Sequence, residues 1–195
     1  MKINFKIIFK SKEFWENVAY VIFAVLLFFG LRFTIGSYFI NQTSMEPNYV
    51  PYERLLFNKL AYKFGAPQRG DIIYFHPSIP STSPFIKRII GLPGEQVVIK
   101  SGAVTIIEPD GSHFMLQEPY VKEPFTYSYT SAVIPPNEYF VLGDNRDISE
   151  DSHYGWFVSR NQIIGKAWLD IWPPGRWGLA PIYRQPASLV TTPGN

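Results

Sequence analysis

The sequence predicts a mainly β protein in which a single N-terminal transmembrane helix precedes one β-rich domain. Three observations carry this reading. Val18 to Leu31 is uncharged, and the apolar run continues to Ile40 with only one charge, Arg32. Beyond residue 41 the pattern turns to short β-rich runs broken by Gly, Pro and Ser. No second run reaches transmembrane length, and 195 residues, 46% of them apolar, suffice for one well-cored domain besides an anchor but hardly for two.

The anchor is placed at residues 18–40, which as a helix rising roughly 1.5 Å per residue would span about 34 Å. Lys2, Lys6, Lys10 and Lys12 precede it, while the near part of the far flank carries only Arg54 and Lys59. That bias puts a short basic segment, residues 1–17, in the cytoplasm and residues 41 onward outside. Arg32 argues mildly against it, but can snorkel to the headgroups. Trp15 and Tyr38 suit the two interfaces. A buried core helix is disfavoured by the length. A cleavable signal peptide with Val18 to Phe29 as its apolar core lacks a good cleavage site, since Thr34-Ile35-Gly36 is a poor match.

In the domain, residues 41–184, strands are expected at Arg54 to Leu60, Asp71 to Phe75, Phe85 to Ile90, Gln96 to Lys100, Ala103 to Ile107, Glu138 to Leu142 and Gln162 to Trp172. Ser101-Gly102 reads as a two-residue hairpin turn and Pro93-Gly94 as another turn. Residues 76–84 and 118–137 are Pro- and Ser-rich and read as loops or an extended hairpin. The tail, 185–195, has no periodicity and is expected to be disordered.

Composition removes several functions. With 18 basic and 16 acidic residues spread along the chain there is no nucleic-acid footprint. Without cysteine there is no disulfide, thiolate nucleophile or zinc-thiolate site. His76, His113 and His153 stand far apart and show no metal-ligand spacing, so chemistry without metal or cofactor is expected.

A serine hydroxyl attacks poorly until a base takes its proton, and for Ser44 the candidate bases are Lys87 and the histidines. At pH 7 a lysine of ordinary pKa is neutral about 0.04% of the time, and a pKa of about 8 raises that to about 10%. Burial is the lever, and Phe85-Ile86-Lys87-Arg88-Ile89-Ile90 supplies apolar surroundings, with Lys87 on the strand face of Phe85 and Ile89. Alone, each signal is weak. A lysine in a strand is usually an edge gatekeeper. Residues 142–152, rich in acids and turn formers, read as a solvated turn or a calcium loop, although Arg146 and the irregular spacing of acids speak against calcium.

Together, however, four ordered segments resemble bacterial type I signal peptidase, a membrane-bound Ser/Lys endopeptidase. They are Ser44-Met45-Glu46-Pro47-Asn48, Arg69-Gly70-Asp71-Ile72-Ile73, the stretch from Phe85 to Glu95, and the stretch from Gly143 to Ser152. The resemblance covers about residues 15–175. It implies a curled all-β domain with Ser44 as nucleophile, Lys87 as general base and Ser149 hydrogen-bonding the lysine amine. Asp144, Arg146 and Asp151 would hold the surrounding loop. The implied substrate is a secretory preprotein bound as an added strand, with small residues at the first and third positions before the cut (Ala-X-Ala). By position, Ile40, Met45, Leu55, Phe85 and Ile86 would line the side-chain pockets. The implied setting is the bacterial cytoplasmic membrane, crossed once, with the catalytic domain on its outer face. The lipid bilayer is then a partner, and the secretion translocon a further candidate partner.

Three positions depart from that family's pattern. Gln42 stands where many members carry a serine that helps bind the oxyanion, Thr43 where glycine is common, and His153 where arginine is common. Three other readings compete: a Ser-His-Asp hydrolase using His153 or His113, a related Ser/Lys processing peptidase of pilin or conjugation type, and a non-catalytic membrane-tethered peptide-binding β-domain.

Overall fold

The computed structural model describes residues 12–81 and 83–184. Lys2, Lys6 and Lys10 of the basic segment, and the whole 185–195 tail, lie outside the described residues.

The apolar run folds as helix α1, Lys12–Thr34, with Glu13 in its first turn and Arg32 in its last, charges that suit the two ends of the helix dipole. It is long and apolar enough to cross a membrane, and none of its residues is buried against the domain. A packed core helix would hide one face, so the core-helix alternative does not hold.

The anchor boundaries need correction. The helix already includes Lys12 and ends at Thr34 rather than Ile40, because Ile35–Phe39 forms strand β1. Hydropathy is blind to this break, since β1 is as apolar as the helix before it. The cause is local: Thr34 and Ile35 are β-branched, Gly36 is a poor helix former, and the Thr34 hydroxyl donates back to the Gly30 and Leu31 carbonyls at 3.0 and 3.2 Å. β1 then pairs antiparallel with β2, Arg54–Asn58, from Ile35 opposite Asn58 to Phe39 opposite Arg54. The helix therefore runs directly into the sheet.

The remaining strands are β3 (Ile72–Phe75), β4 (Phe85–Gly91), β5 (Gln96–Lys100), β6 (Ala103–Ile107), β7 (His113–Met115), β8 (Tyr129–Thr130), β9 (Glu138–Leu142), β10 (Val158–Ser159), β11 (Ile163–Trp172) and β12 (Gly178–Leu179). All seven expected strands form, with ends moved by at most two residues. The four short additions, β7, β8, β10 and β12, have too few residues to show alternation. An eight-stranded sheet runs β1-β2-β11-β3-β4-β9-β10, with β12 also on β11, and a four-stranded sheet runs β7-β6-β5-β8. Every strand pair is antiparallel. The ten-residue β11 bridges β2 and β3 and changes register at three places, bulges that bend it and curl the sheet.

β4 is an interior strand of the larger sheet, between β3 and β9, and all seven of its residues are buried. One core cluster includes Ile73, Phe75, Phe85, Ile89 and Val141 on the Lys87 face. Another gathers Ile40, Met45, Tyr49, Leu55, Ile72 and Ile86. A third, built on Val97, Ile99, Val104 and Ile106, seals the smaller sheet against Phe140 and Leu142.

Candidate active site

Ser44 lies on a tight turn after β1, where Glu46 N–H donates to the Thr43 carbonyl (3.1 Å) and Tyr49 N–H to the Met45 carbonyl (2.9 Å). Met45 anchors the turn from below, fully buried beside Ile40 and Leu55. The turn is clamped from above by the loop that follows β9, since Asn145 N–H donates to the Ser44 carbonyl at 3.0 Å. That approach requires a glycine at 143. A Cβ there would fall 2.4 Å from the Ser44 carbonyl oxygen and 2.2 Å from Ser149 Oγ.

β4 brings Lys87 to the same point, with Nζ 2.6 Å from Ser44 Oγ. Lys87 sits opposite Ile73 on β3 and is only 2% exposed. Burial lowers its pKa from 10.5 to about 8, outweighing the opposing pull of the Asp151, Glu150 and Asp144 carboxylates. The amine is thus poised to accept a proton from the hydroxyl near neutral pH.

Asp144 ties the three segments together. Its carboxylate accepts from Arg88 Nε and Nη2 at 2.8 and 2.7 Å and from Asn48 Nδ2 at 2.9 Å, joining the loop to β4 and to the serine turn. Arg88 also donates to the Gly70 and Pro181 carbonyls and lies over the Tyr120 ring. Its charge is therefore paired on every side, as a fully buried guanidinium demands. Arg146 makes a bidentate pair with Glu118 and donates from Nε to the Gly143 carbonyl at 3.0 Å. Asp151 accepts from Gly143 N–H at 2.9 Å, and its other oxygen lies 2.7 Å from His153 Nδ1. His153, at the position where arginine is common in the family, has its ring on Asp151 and stacks on Tyr127. In the second segment, Arg69 pairs with Glu95, while Asp71 accepts from Tyr62, Lys166 and Arg184.

Two expectations need correction. The Ser149 hydroxyl is buried but makes no hydrogen bond, so the expected contact with the Lys87 amine is not formed. Its Oγ points toward Gly143, where the absent glycine side chain leaves room. Of the five expected pocket residues, only Phe85 lines the cleft beside Ser44, and Ile40, Met45, Leu55 and Ile86 are packed into one core cluster. Position in a segment does not reveal which way a side chain turns. The cleft, about 290 Å³, is lined by Asn41, Gln42, Thr43, Ser44, Phe85, Lys87, Ile148 and Glu150.

Sequence reasoning missed Arg88, Asn48 and Glu118 as partners of the loop, and Ile148 and Glu150 as cleft walls. Arg88 carried a signal, a second cation in an apolar strand. Glu118 carried none, being brought in from a loop 28 residues away from Arg146. His113 lies on β7 in the smaller sheet and His153 is engaged by Asp151, whereas Lys87 contacts the serine. Among the described residues, no three His, Asp or Glu side chains gather as metal ligands.

The chain matches the family model described as signal peptidase, peptidase S26, over residues 14–172. A probable signal peptidase I-2 of Synechocystis is 40% identical over 162 residues, 80% of this chain and 72% of that protein. Signal peptidase I of Leptolyngbya laminosa is 39% identical over 171 residues, 84% of this chain and 82% of that one. Signal peptidase IB of Staphylococcus aureus is 30% identical, covering 84% of this chain and 92% of the relative.

Proposed function

The chain belongs to the signal peptidase family, peptidase S26, and we propose that it removes Ala-X-Ala signal peptides from exported preproteins with Ser44 as nucleophile and Lys87 as general base. The observation that carries this reading is the 2.6 Å contact between Ser44 Oγ and a buried Lys87 Nζ. Neutral Lys87 takes the hydroxyl proton as Ser44 Oγ bonds to the scissile carbonyl carbon. The resulting ammonium gives that proton to the departing amine nitrogen, leaving an ester on Ser44. Lys87 then takes a proton from water as the water oxygen attacks the ester carbon, and returns that proton to Ser44 Oγ as the ester C–O bond breaks and the acid leaves. Asp144, Arg146 and Asp151 act by fixing the loop whose Asn145 amide holds the Ser44 carbonyl. Ser149, packed against Gly143, keeps the loop seated.

α1 makes this a membrane-anchored enzyme, and we read its basic end as cytoplasmic and the β-domain as lying on the outer face. Phe39, Trp172, Trp177 and Leu179 are exposed on β1, β11, β12 and the turn between the last two, an apolar band suited to a bilayer surface. The substrate would lie along the cleft as an added strand, past Phe85 and Ile148. The secretion translocon is the natural neighbour of such a site.

Detergent-solubilised protein incubated with an Ala-X-Ala preprotein is expected to release a mature chain whose new N-terminus follows the second alanine. No cleavage, or a cut that ignores replacement of that alanine by a bulky residue, would overturn the reading.

The tetrahedral intermediate needs two donors for its oxyanion. Ser44 N–H donates to no protein group among the described residues and is free to supply one. Gln42, partly exposed on the cleft wall, can supply the second through its amide NH₂. Gln42→Ala is then expected to lower kcat roughly 10²- to 10³-fold with little change in KM, and Gln42→Ser to recover part of the loss. A Gln42→Ala enzyme within a fewfold of the parent would assign the hole to backbone donors or to Thr43.

A further inference from the structure

Three cations lie on the segments where α1 joins the β-domain. Arg32 lies in the last turn of the helix. Lys59, just past β2, places Nζ 3.0 Å from the Arg32 carbonyl oxygen, and its own N–H donates to the Thr34 carbonyl at 2.9 Å. Lys63 holds Nζ 5.3 Å from the centre of the Phe33 ring. Among the described residues none of the three forms an ion pair, whereas Lys166 on β11 is neutralised by Asp71 at 2.9 Å.

Beside these charges lies an apolar groove of about 540 Å³, whose walls include Ile35, Leu60, Ala61, Phe64 and Trp168. Phe64 is 89% exposed and Trp168 44% exposed, so two large aromatic side chains face outward at the foot of a membrane helix. A 23-residue helix spans about 34 Å, slightly more than a hydrocarbon core of roughly 30 Å, so its last turn reaches the headgroups. Uncompensated positive charge on the outer flank runs against the bias that orients such a helix. An attraction specific to that surface would offset it, and phosphodiesters lie at the same depth.

We propose that this junction binds an anionic phospholipid of the outer leaflet, its phosphodiester held by Arg32, Lys59 and Lys63 and the upper part of an acyl chain lying in the groove against Phe64 and Trp168. A zwitterionic lipid carries its own cation and would leave the three charges unbalanced, which is why the anionic class fits. The inference rests on α1 crossing the membrane and is independent of the Ser44–Lys87 chemistry. Its role would be to fix the tilt of the β-domain on the bilayer, since β1 begins and β2 ends at this contact, and the serine turn lies at the other end of the pair.

The test uses the full chain in phosphatidylcholine vesicles doped with phosphatidylglycerol, with bromine on the acyl chains of one lipid at a time to quench tryptophan. Brominated phosphatidylglycerol should quench more than brominated phosphatidylcholine at equal mole fraction, and Trp168→Phe should remove most of that contrast. The double variant Lys59→Gln/Lys63→Gln should lower the preference for phosphatidylglycerol roughly tenfold. The variant Lys100→Gln/Lys122→Gln, with the same charge change in the smaller sheet and its loop, should leave it unchanged. Cleavage of a soluble peptide in detergent should be equal in both double variants, showing that each is folded. Equal quenching by the two lipids, or an equal loss of preference in both double variants, would overturn the proposal.

Discussion

Ser44→Ala is expected to abolish preprotein cleavage, with a loss of roughly 10⁶-fold in kcat, while the domain stays folded. The size of the loss follows from removing the proposed nucleophile. What remains is substrate binding and the oxyanion donors. The fold should tolerate the change because the turn is built from backbone bonds that alanine keeps: Asn145 N–H to the residue 44 carbonyl, Glu46 N–H to Thr43 and Tyr49 N–H to Met45. Among the described residues the hydroxyl hydrogen-bonds only to the lysine amine, at 2.6 Å. Its removal costs that one hydrogen bond and leaves the buried amine without it, about 1 to 3 kcal/mol, which is too little to unfold the domain. Gel analysis of preprotein processing beside a thermal melt separates the two effects. Retained turnover would remove Ser44 from the chemistry, and a collapsed melt would make it a structural residue.

Why the two central residues were legible while their surroundings were not is a matter of the range of the forces involved. Ser44 and Lys87 announced themselves locally, one at the exit of an apolar segment and the other as a charge inside a strand of isoleucines. The contact between them spans 43 positions and was suggested only by the resemblance of whole segments. The partners of the loop lie at similar distances along the chain: Arg88 and Asp144 are 56 positions apart, and Asn48 and Asp144 are 96. Such pairs are chosen by the sheet order β3-β4-β9, which local alternation cannot give. Strand β1 was hidden for a different reason. Hydropathy continues unbroken from α1 into Ile35–Phe39, so it shows neither the local helix break at Thr34 to Gly36 nor the pairing with β2 that makes the following segment a strand. Ser149 shows a third limit, since a hydroxyl can be named from its segment while its rotamer, toward Gly143 here, is set by the packing around it.

Lys87→Met should be as inactive as the serine variant yet more stable at neutral pH. The lysine is 2% exposed, and burial holds its pKa at about 8 against 10.5 when unfolded. Below about pH 8 both states carry the proton, and the folded state bears the full cost of a buried ammonium. Between about pH 8 and 10.5 the unfolded chain binds more protons than the folded one, so stability of the parent rises with pH and the cost is relieved. A shift of this size corresponds to roughly 3 kcal/mol, the upper bound on what methionine recovers at pH 7. The stability gap between variant and parent should therefore be widest below pH 8 and close toward pH 10.5. Lys87→Arg should be inactive as well, because a guanidinium keeps its proton and cannot act as a base. The parent's kcat/KM should rise with pH through about 8, following the neutral amine. An acid limb near 6.5 together with turnover in Lys87→Met would transfer the role to a histidine. His153 would be the candidate, though its ring is held 2.7 Å from Asp151 and stacked on Tyr127, which leaves Lys87 as the group in position to take the serine proton.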